Sequence, residues 1–190
     1  MGTNLTETHP RVTIADWRDV VAVADPRLRE DHCRSYLEHL RWPGGLICPR
    51  CGSDRVTRVP TRNQIDCREC RYRFSVTSGT RLHDSAVPLW KWLVAVSLLI
   101  DSEDGFPAHR LATRINVSYK TAWSLGHRIR DALGNGETDG ANVAAVSGSY
   151  HLVSEKYAGA YRAEHAWRAR NRANPDAFAD VLRALLHAAA

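Results

Sequence analysis

Long apolar runs are missing from this chain of 190 residues. The longest, Leu93 to Ile100, is far shorter than the roughly 18 residues that a membrane-spanning helix needs. The first residues contain no apolar signal-peptide core, and no internal repeat is visible. From these absences we expect a cytoplasmic protein with no membrane partner.

Cysteine is also scarce, with five residues, but four of them form two pairs. Cys48-Pro49-Arg50-Cys51 and Cys67-Arg68-Glu69-Cys70 each have CxxC spacing, and fifteen residues separate them. Four thiolates at this spacing can complete a tetrahedral shell around one zinc ion. Two disulfides or a redox CxxC are the alternatives, and both fit poorly without a secretory signal or a thioredoxin-like βαβ pattern. We therefore predict one structural zinc held by Cys48, Cys51, Cys67 and Cys70, with no coordination position left for catalysis.

The sequence around the cysteines predicts a zinc ribbon. Arg55–Arg58 and Gln64–Asp66 suit short strands, and Gly52 follows the first cysteine pair, where a positive φ costs glycine little. A ribbon of about forty residues buries too little apolar surface to be stable alone, so we expect other small domains beside it. The fifth cysteine, Cys33, lies in a helical pattern and is predicted to be a small buried hydrophobe.

The formal net charge of +5 is unevenly distributed. Residues 41–81 carry nine arginines against three acids, and residues 108–131 carry five basic residues against one acid. Such a concentration is the electrostatic pattern of a nucleic-acid-binding protein. A solvated basic face is the alternative.

Residues 108–133 have the pattern of a helix-turn-helix. A short helix over 108–115 is followed by the turn Asn116-Val117-Ser118 and a longer helix from Tyr119 to Leu133, which Ser118 is placed to cap. We expect Leu111, Ala112, Ile115 and Val117 to pack against Ala122, Trp123 and Ile129. An ordinary three-helix bundle with a basic surface is the alternative.

The second helix of such a motif enters the DNA major groove by its N-terminal end. We expect Tyr119 and Lys120 to reach bases or phosphates, and Arg128 and Arg130 to contact phosphates. The predicted DNA-binding residues are Ser118, Tyr119, Lys120, Thr121, Ser124, His127, Arg128 and Arg130 of this motif, together with Arg71 and Arg73 of the ribbon.

The predicted fold class is mainly α with a small β zinc ribbon. A helix should begin at Pro26, a buried helix at Pro88, and two tail helices at about residue 155 and after Asn174. The expected divisions are a polar N-terminal segment (1–25), a helix leading into the ribbon (26–43), the zinc ribbon (44–80), the helix-turn-helix domain (86–133), a linker (134–149) and a C-terminal helical segment (150–190).

Four segments in order resemble a family of bacterial insertion-sequence transposases. They are residues 33–51, 67–80, 88–92 and 117–130, the last containing the string Ser-Tyr-Lys-Thr-Ala-Trp. Members of this family have an N-terminal zinc ribbon, a helix-turn-helix and an RNase-H-like, DDE-type (ISXO-like) catalytic core. The resemblance implies binding to double-stranded DNA at the ends of a mobile element.

The tail, from Ser149 to Asn171, resembles the end of the same family, which normally follows the catalytic core. Only Gly134 to Gly148 separate the helix-turn-helix from this tail, whereas domains rarely fall below about fifty residues. The linker therefore replaces the core. Glu137 and Asp139 are its only acids, and a Gly/Asn-rich linker cannot hold the carboxylates of a two-metal site. We expect no catalytic residue.

The leading hypothesis is a zinc-dependent, sequence-specific DNA-binding protein derived from a transposase and catalytically inactive, acting near the nucleoid. An active transposase subunit with catalysis in trans and a zinc-ribbon protein-interaction module are the alternatives. A tail stripe around Phe178 and Leu185 should either form a homodimer or dock onto the helix-turn-helix. Gly126 departs from the family, which has a large apolar residue there, and costs about 1 kcal/mol of helix stability relative to alanine.

Overall fold

The computed structural model describes residues 22–102, 105, 107–134 and 155–187. Those residues form six helices and one three-stranded sheet, and none of the helices is long and apolar enough to cross a membrane. The elements are α1 (Pro26–Arg41), β1 (Val56–Val59), a 3-10 turn (Pro60–Arg62), β2 (Gln64–Cys67), β3 (Arg73–Phe74), α2 (Leu89–Ile100), α3 (Ala108–Ile115), α4 (Tyr119–Leu133), α5 (Glu155–Asn171) and α6 (Ala177–Leu186). The predicted fold class is confirmed.

Helix α1 begins where the sequence predicted. Pro26 is its first residue, and the Asp25 carboxylate accepts hydrogen bonds from the backbone N–H groups of Arg27 at 2.7 Å and Leu28 at 3.1 Å. Cys33 is completely buried on the inner face, and burial raises the pKa of its thiol to about 12. Cys33 is therefore a core residue, as predicted.

The ribbon sheet is antiparallel, in the order β1-β2-β3. Its third strand is short and ends at Phe74. Beyond that residue the carbonyls bond elsewhere: the Arg41 guanidinium donates to those of Val76 at 2.7 Å and Ser78 at 2.8 Å. The chain therefore turns against the end of α1 and docks the ribbon on that helix.

Helices α2, α3 and α4 pack against one another, and α3 and α4 flank the predicted turn. Asn116 adopts the left-handed conformation, with φ of 49°, and ends α3. Ser118 Oγ then accepts a hydrogen bond from the Thr121 backbone N–H at 3.1 Å and caps α4. Leu111 and Ile115 of α3 are buried with Ala122, Leu125 and Ile129 of α4. One detail of the prediction is wrong: Trp123 lies on a different flank of α4, where its ring contacts Tyr157 of α5.

The tail docks onto the rest of the chain, which was one of the two predicted outcomes. Helix α6 packs on α1, α2 and α4, and α5 packs along α4. The apolar stripe of α6 is buried by these contacts: Phe178, Val181, Leu182, Leu185 and Leu186. A homodimer through the C-terminal helices stays a prediction, but this stripe is already covered within the chain. Most of the predicted linker, with Glu137 and Asp139, lies outside the described residues.

Candidate zinc centre and nucleic-acid interface

The four predicted zinc ligands come together at one end of the ribbon. All four sulfur atoms lie within 4.8 Å of one another, and the Cys48–Cys70 and Cys51–Cys67 sulfur pairs are each 3.6 Å apart. A tetrahedral zinc with Zn–S bonds of about 2.3 Å requires sulfur atoms roughly 3.8 Å apart. The cluster thus fits one structural zinc. Within the described ranges it is the only group of three or more side chains suited to hold a metal.

Tight turns present these sulfur atoms. After the first pair, Gly52 has the predicted positive φ, at 73°, and donates its N–H to the Cys48 carbonyl at 2.9 Å. The Arg50 backbone N–H lies 3.4 Å from the Cys48 sulfur. After the second pair, Arg71 takes up the equivalent left-handed conformation, with φ of 57°. Backbone N–H groups directed at a sulfur favour the thiolate that zinc needs.

Four neighbouring thiols cannot all ionise without a cation between them. Burial opposes ionisation of Cys48, but hydrogen bonds from the Arg50 and Cys51 backbone lower its pKa to about 7. At Cys51 the Ser53 backbone lowers the pKa, yet hydrogen bonds with the other three sulfur atoms outweigh it and raise the pKa to about 12. One thiol therefore ionises first and makes its neighbour harder to ionise. A bound zinc removes this conflict because it supplies the missing positive charge.

Four of the seven ribbon arginines are engaged with acids or a hydroxyl. Arg73 forms a two-bond pair with Asp66, at 2.6 and 3.0 Å, and this hydrogen bonding lowers the pKa of the Asp66 carboxyl. Arg58 pairs with Glu38 of α1 at 2.6 Å. Arg55 pairs with Glu69, and Arg68 donates to Thr57 at 2.7 Å. Ion pairs within the fold therefore offset part of the positive charge of the ribbon. Of the two predicted DNA contacts in the ribbon, only Arg71 is exposed without a hydrogen bond or ion pair to the described residues.

The N-terminal turn of α4 is open to solvent. Ser118, Tyr119 and Lys120 are exposed, and the Tyr119 ring retains 62% of its accessible surface. Thr121 is half-buried and its hydroxyl lies 2.8 Å from that of Ser118, whereas Ser124, one turn later, is exposed. The fold brings these five predicted residues together at one end of the helix.

The other three predicted residues of α4 are occupied within the protein. His127 is half-buried among aromatic rings, and burial lowers its pKa. The centroid of its ring lies 4.0 Å from the centroid of the Trp123 ring. The Arg128 guanidinium donates to the carbonyls of Arg81 at 3.2 Å and His83 at 2.8 Å. Arg130 is 1% exposed. In this conformation Arg130 is buried and Arg128 is held by carbonyls, and a phosphate contact by either stays a prediction.

A buried ion pair holds Arg130. Its Nε donates to Glu164 of α5 at 2.6 Å, and its guanidinium lies over the Tyr161 ring at 4.1 Å. Glu164 is completely buried, and Arg168 approaches its second oxygen at 3.4 Å. Sequence reasoning missed this cluster because its members lie on separate helices. The sequence did offer one signal of a buried partner: Arg130 is a charged residue in a helix that otherwise packs on the core.

Gly126 lies beside the same cluster. A Cβ at this position would lie 3.0 Å from Nη1 of Arg130, closer than real Cβ atoms normally approach a neighbour. The missing side chain thus leaves room for the guanidinium beneath it. Glycine at position 126 therefore fits the space that the Arg130 guanidinium occupies.

We expect Gly126→Ala to couple strongly to Arg130. In the natural sequence the new methyl group should displace the guanidinium from Glu164 and offset the gain of about 1 kcal/mol in helix propensity. In an Arg130→Met background the same change should stabilise the protein by about that amount. Urea unfolding of the four zinc-loaded proteins measures this coupling. Equal effects of Gly126→Ala in both backgrounds would show that glycine is not there for Arg130.

Comparison with known proteins agrees with the zinc centre and extends beyond it. The family of transposase zinc-ribbon domains (IS1595 type) matches residues 28–73, which include all four cysteines and most of α1. A protein of Halobacterium salinarum, described as an uncharacterized protein in transposable element ISH50, is 32% identical over 107 residues, 55% of this chain. The cysteine cluster thus lies in a zinc ribbon of the transposase type, and the chain has a homologue in an insertion-sequence element.

The alignment with the Halobacterium salinarum protein covers only part of each of the two proteins. The chain spans about a third of that relative, since the aligned region is 36% of its length. No solved structure matches the chain.

Proposed function

We propose that this protein binds double-stranded DNA in a zinc-dependent manner through the N-terminal turn of α4, and that it derives from an insertion-sequence transposase without retaining its catalysis. Sites related to the ends of a mobile element are the proposed targets. The proposed setting is the cytoplasm, in contact with the nucleoid.

The observation that carries this proposal is the open N-terminus of α4 within a complete helix-turn-helix. Two helices and a capped turn position Tyr119 and Lys120 at an exposed helix end. Backbone N–H groups and the positive end of the helix dipole add to the attraction for phosphate there. In such motifs this end carries the side chains that reach base edges.

The zinc ribbon supports the proposal indirectly. It packs on α1 through Trp42 and Phe74, whose rings meet edge to face at 5.9 Å, and α1 in turn packs on α2. Zinc therefore supports the framework behind the helix-turn-helix. Arg71 at the ribbon tip offers one further free cation for a phosphate.

The non-catalytic part of the proposal is supported by the sequence interval. Fifteen residues, Gly134 to Gly148, separate the helix-turn-helix from the family-like tail. A nuclease domain of even about fifty residues does not fit there. Docking of α6 on three other helices makes the tail part of this domain.

Salt-dependent binding of the zinc-loaded protein to duplex DNA tests the proposal. Fluorescence anisotropy with a panel of duplexes, including the DNA that flanks its own gene, should show log K falling linearly with log salt. Lys120→Ala should weaken binding several-fold, while Arg172→Ala, which removes an exposed charge beyond α5, should not. Incubation with magnesium or manganese should give no nicked or joined product.

Each part can fail separately. Absence of salt-sensitive binding to every duplex would refute the DNA-binding proposal. Metal-dependent nicking of element-end DNA would refute the non-catalytic one. Equal losses for Lys120→Ala and Arg172→Ala would place the contact away from α4.

A further inference from the structure

Helix α5 runs parallel to α4 and in register with it. Three contacts along the pair share the same sequence offset of 34 residues: Trp123 with Tyr157, His127 with Tyr161, and Arg130 with Glu164. The ring centroids of the first two pairs are 5.4 and 5.9 Å apart, and the ion pair is 2.6 Å long. A constant offset means that both helices point the same way, so α5 lies along one flank of α4 from Trp123 to Arg130.

This neighbour limits how α4 can meet DNA. A helix with its side chains is about 10–12 Å across, and packed helices lie about 8–10 Å apart, so the pair is roughly 20 Å wide. The major groove is about 12 Å wide. Helix α4 therefore cannot lie lengthwise in the groove while α5 is in place.

Among the described residues, α5 does not extend beside the first turn of α4. Helix α5 begins at Glu155, which the common offset places level with Thr121. Ser118, Tyr119 and Lys120 precede that level. At about 100° per residue, Lys120 and Ser124 lie opposite the core-facing Ala122, and Ser124 is turned about 60° or more from the residues that contact α5.

Two free cations lie on the helix before the turn. Arg110 and Arg114 are one turn apart on α3, so they share a face. Both are exposed, and neither has a hydrogen bond or ion pair to the described residues. Lys91 adds a third positive charge at the turn itself, where its Nζ donates to the Asn116 carbonyl at 3.0 Å. This grouping contrasts with Arg128 and Arg130, which are engaged inside the protein.

We propose that duplex DNA docks end-on: the first turn of α4 enters the major groove, and Arg110 and Arg114 of α3 hold the adjacent phosphates. Helix α5 keeps the C-terminal half of α4 out of the groove. The inference rests on the proposed DNA-binding function and names its contact surface.

The salt dependence of binding by matched charge variants tests this surface. Arg110→Gln/Arg114→Gln should reduce the slope of log K against log salt by about 1.8, which corresponds to about 60-fold weaker binding at 0.1 M salt. Arg55→Gln/Arg58→Gln removes the same charge from exposed but ion-paired ribbon positions and should leave the slope near that of the natural protein. Circular dichroism melting of the zinc-loaded variants verifies folding.

Added charge separates end-on docking from lengthwise docking. Ser124→Lys, near the open end, should increase the slope by about 1, whereas Asp131→Lys, on the same exposed side near the other end, should leave it unchanged. The two positions are about 10 Å apart along the helix, which is comparable to the Debye length at 0.1 M salt.

The outcomes are distinguishable. A slope unchanged by Arg110→Gln/Arg114→Gln, or increased as much by Asp131→Lys as by Ser124→Lys, would overturn end-on docking while leaving DNA binding intact. If the natural protein binds no duplex, the function and the surface are refuted together.

Discussion

Cys48→Ser should abolish stoichiometric zinc binding and unfold the ribbon. Structural zinc contributes on the order of 10–16 kcal/mol of apparent binding free energy in small zinc domains, and a short ribbon has little apolar core to replace it. Elemental analysis should find one zinc per chain in the natural protein and a large deficit in the variant. Amide NMR signals from residues 48–74 should collapse to unfolded positions.

Cys33→Ala is the matched control for this experiment. Cys33 is also a buried cysteine, but it lies in the helical core and outside the sulfur cluster. Its loss should cost about 1 kcal/mol through packing and leave one zinc per chain. Full zinc content in Cys48→Ser would contradict the four-sulfur site, as would zinc loss in Cys33→Ala.

Glu164→Leu should destabilise the zinc-loaded protein by about 3–5 kcal/mol. The change leaves the Arg130 guanidinium, 1% exposed, without its carboxylate, and an uncompensated buried charge is costly. Arg130→Met/Glu164→Leu should recover part of the loss, because an apolar pair can replace a buried ion pair with little net cost, while Arg168 still lacks the carboxylate oxygen it approaches at 3.4 Å. Urea unfolding, with all four combinations of the two sites, measures the coupling.

Asp180→Asn provides the control for that cycle. It breaks an ion pair with Arg183 on α6 whose side chains are half-exposed, and such pairs contribute little. A similar loss for Asp180→Asn and Glu164→Leu would show that burial does not decide the effect. Failure of the double variant to recover would show that the site needs the ion pair itself.

The sequence predicted the local features well because each rests on nearby residues. The cysteine spacing determined the zinc ligands, Asp25 and Ser118 marked helix starts through their capping oxygens, and Asn116 lies at the predicted turn. Apolar periodicity placed α2, α4 and α6 to within a residue or two. These interactions span a few residues, so the pattern of side chains is enough to identify them.

The partners of individual charged side chains could not be predicted in the same way. Arg73 and Arg71 look alike in the sequence, yet one pairs with Asp66 across two strands and the other is free. Arg128 resembles a phosphate ligand until the carbonyls of Arg81 and His83 are placed beside it. The first pairing spans seven residues and the Arg128 pairings span more than forty, and in both cases only the folded chain brings the partners together.

By itself, the sequence predicted a four-cysteine metal site, a helix-turn-helix, and C-terminal helices that follow it after a short interval. The tertiary structure alone decided which face of α4 remains open. It packed α5 parallel to that helix and buried Arg130 against Glu164. It also placed the Arg130 guanidinium where a side chain at position 126 would be. The physical reason is that burying a charge requires a partner at contact distance, and contact distance between separate helices is a property of the folded chain.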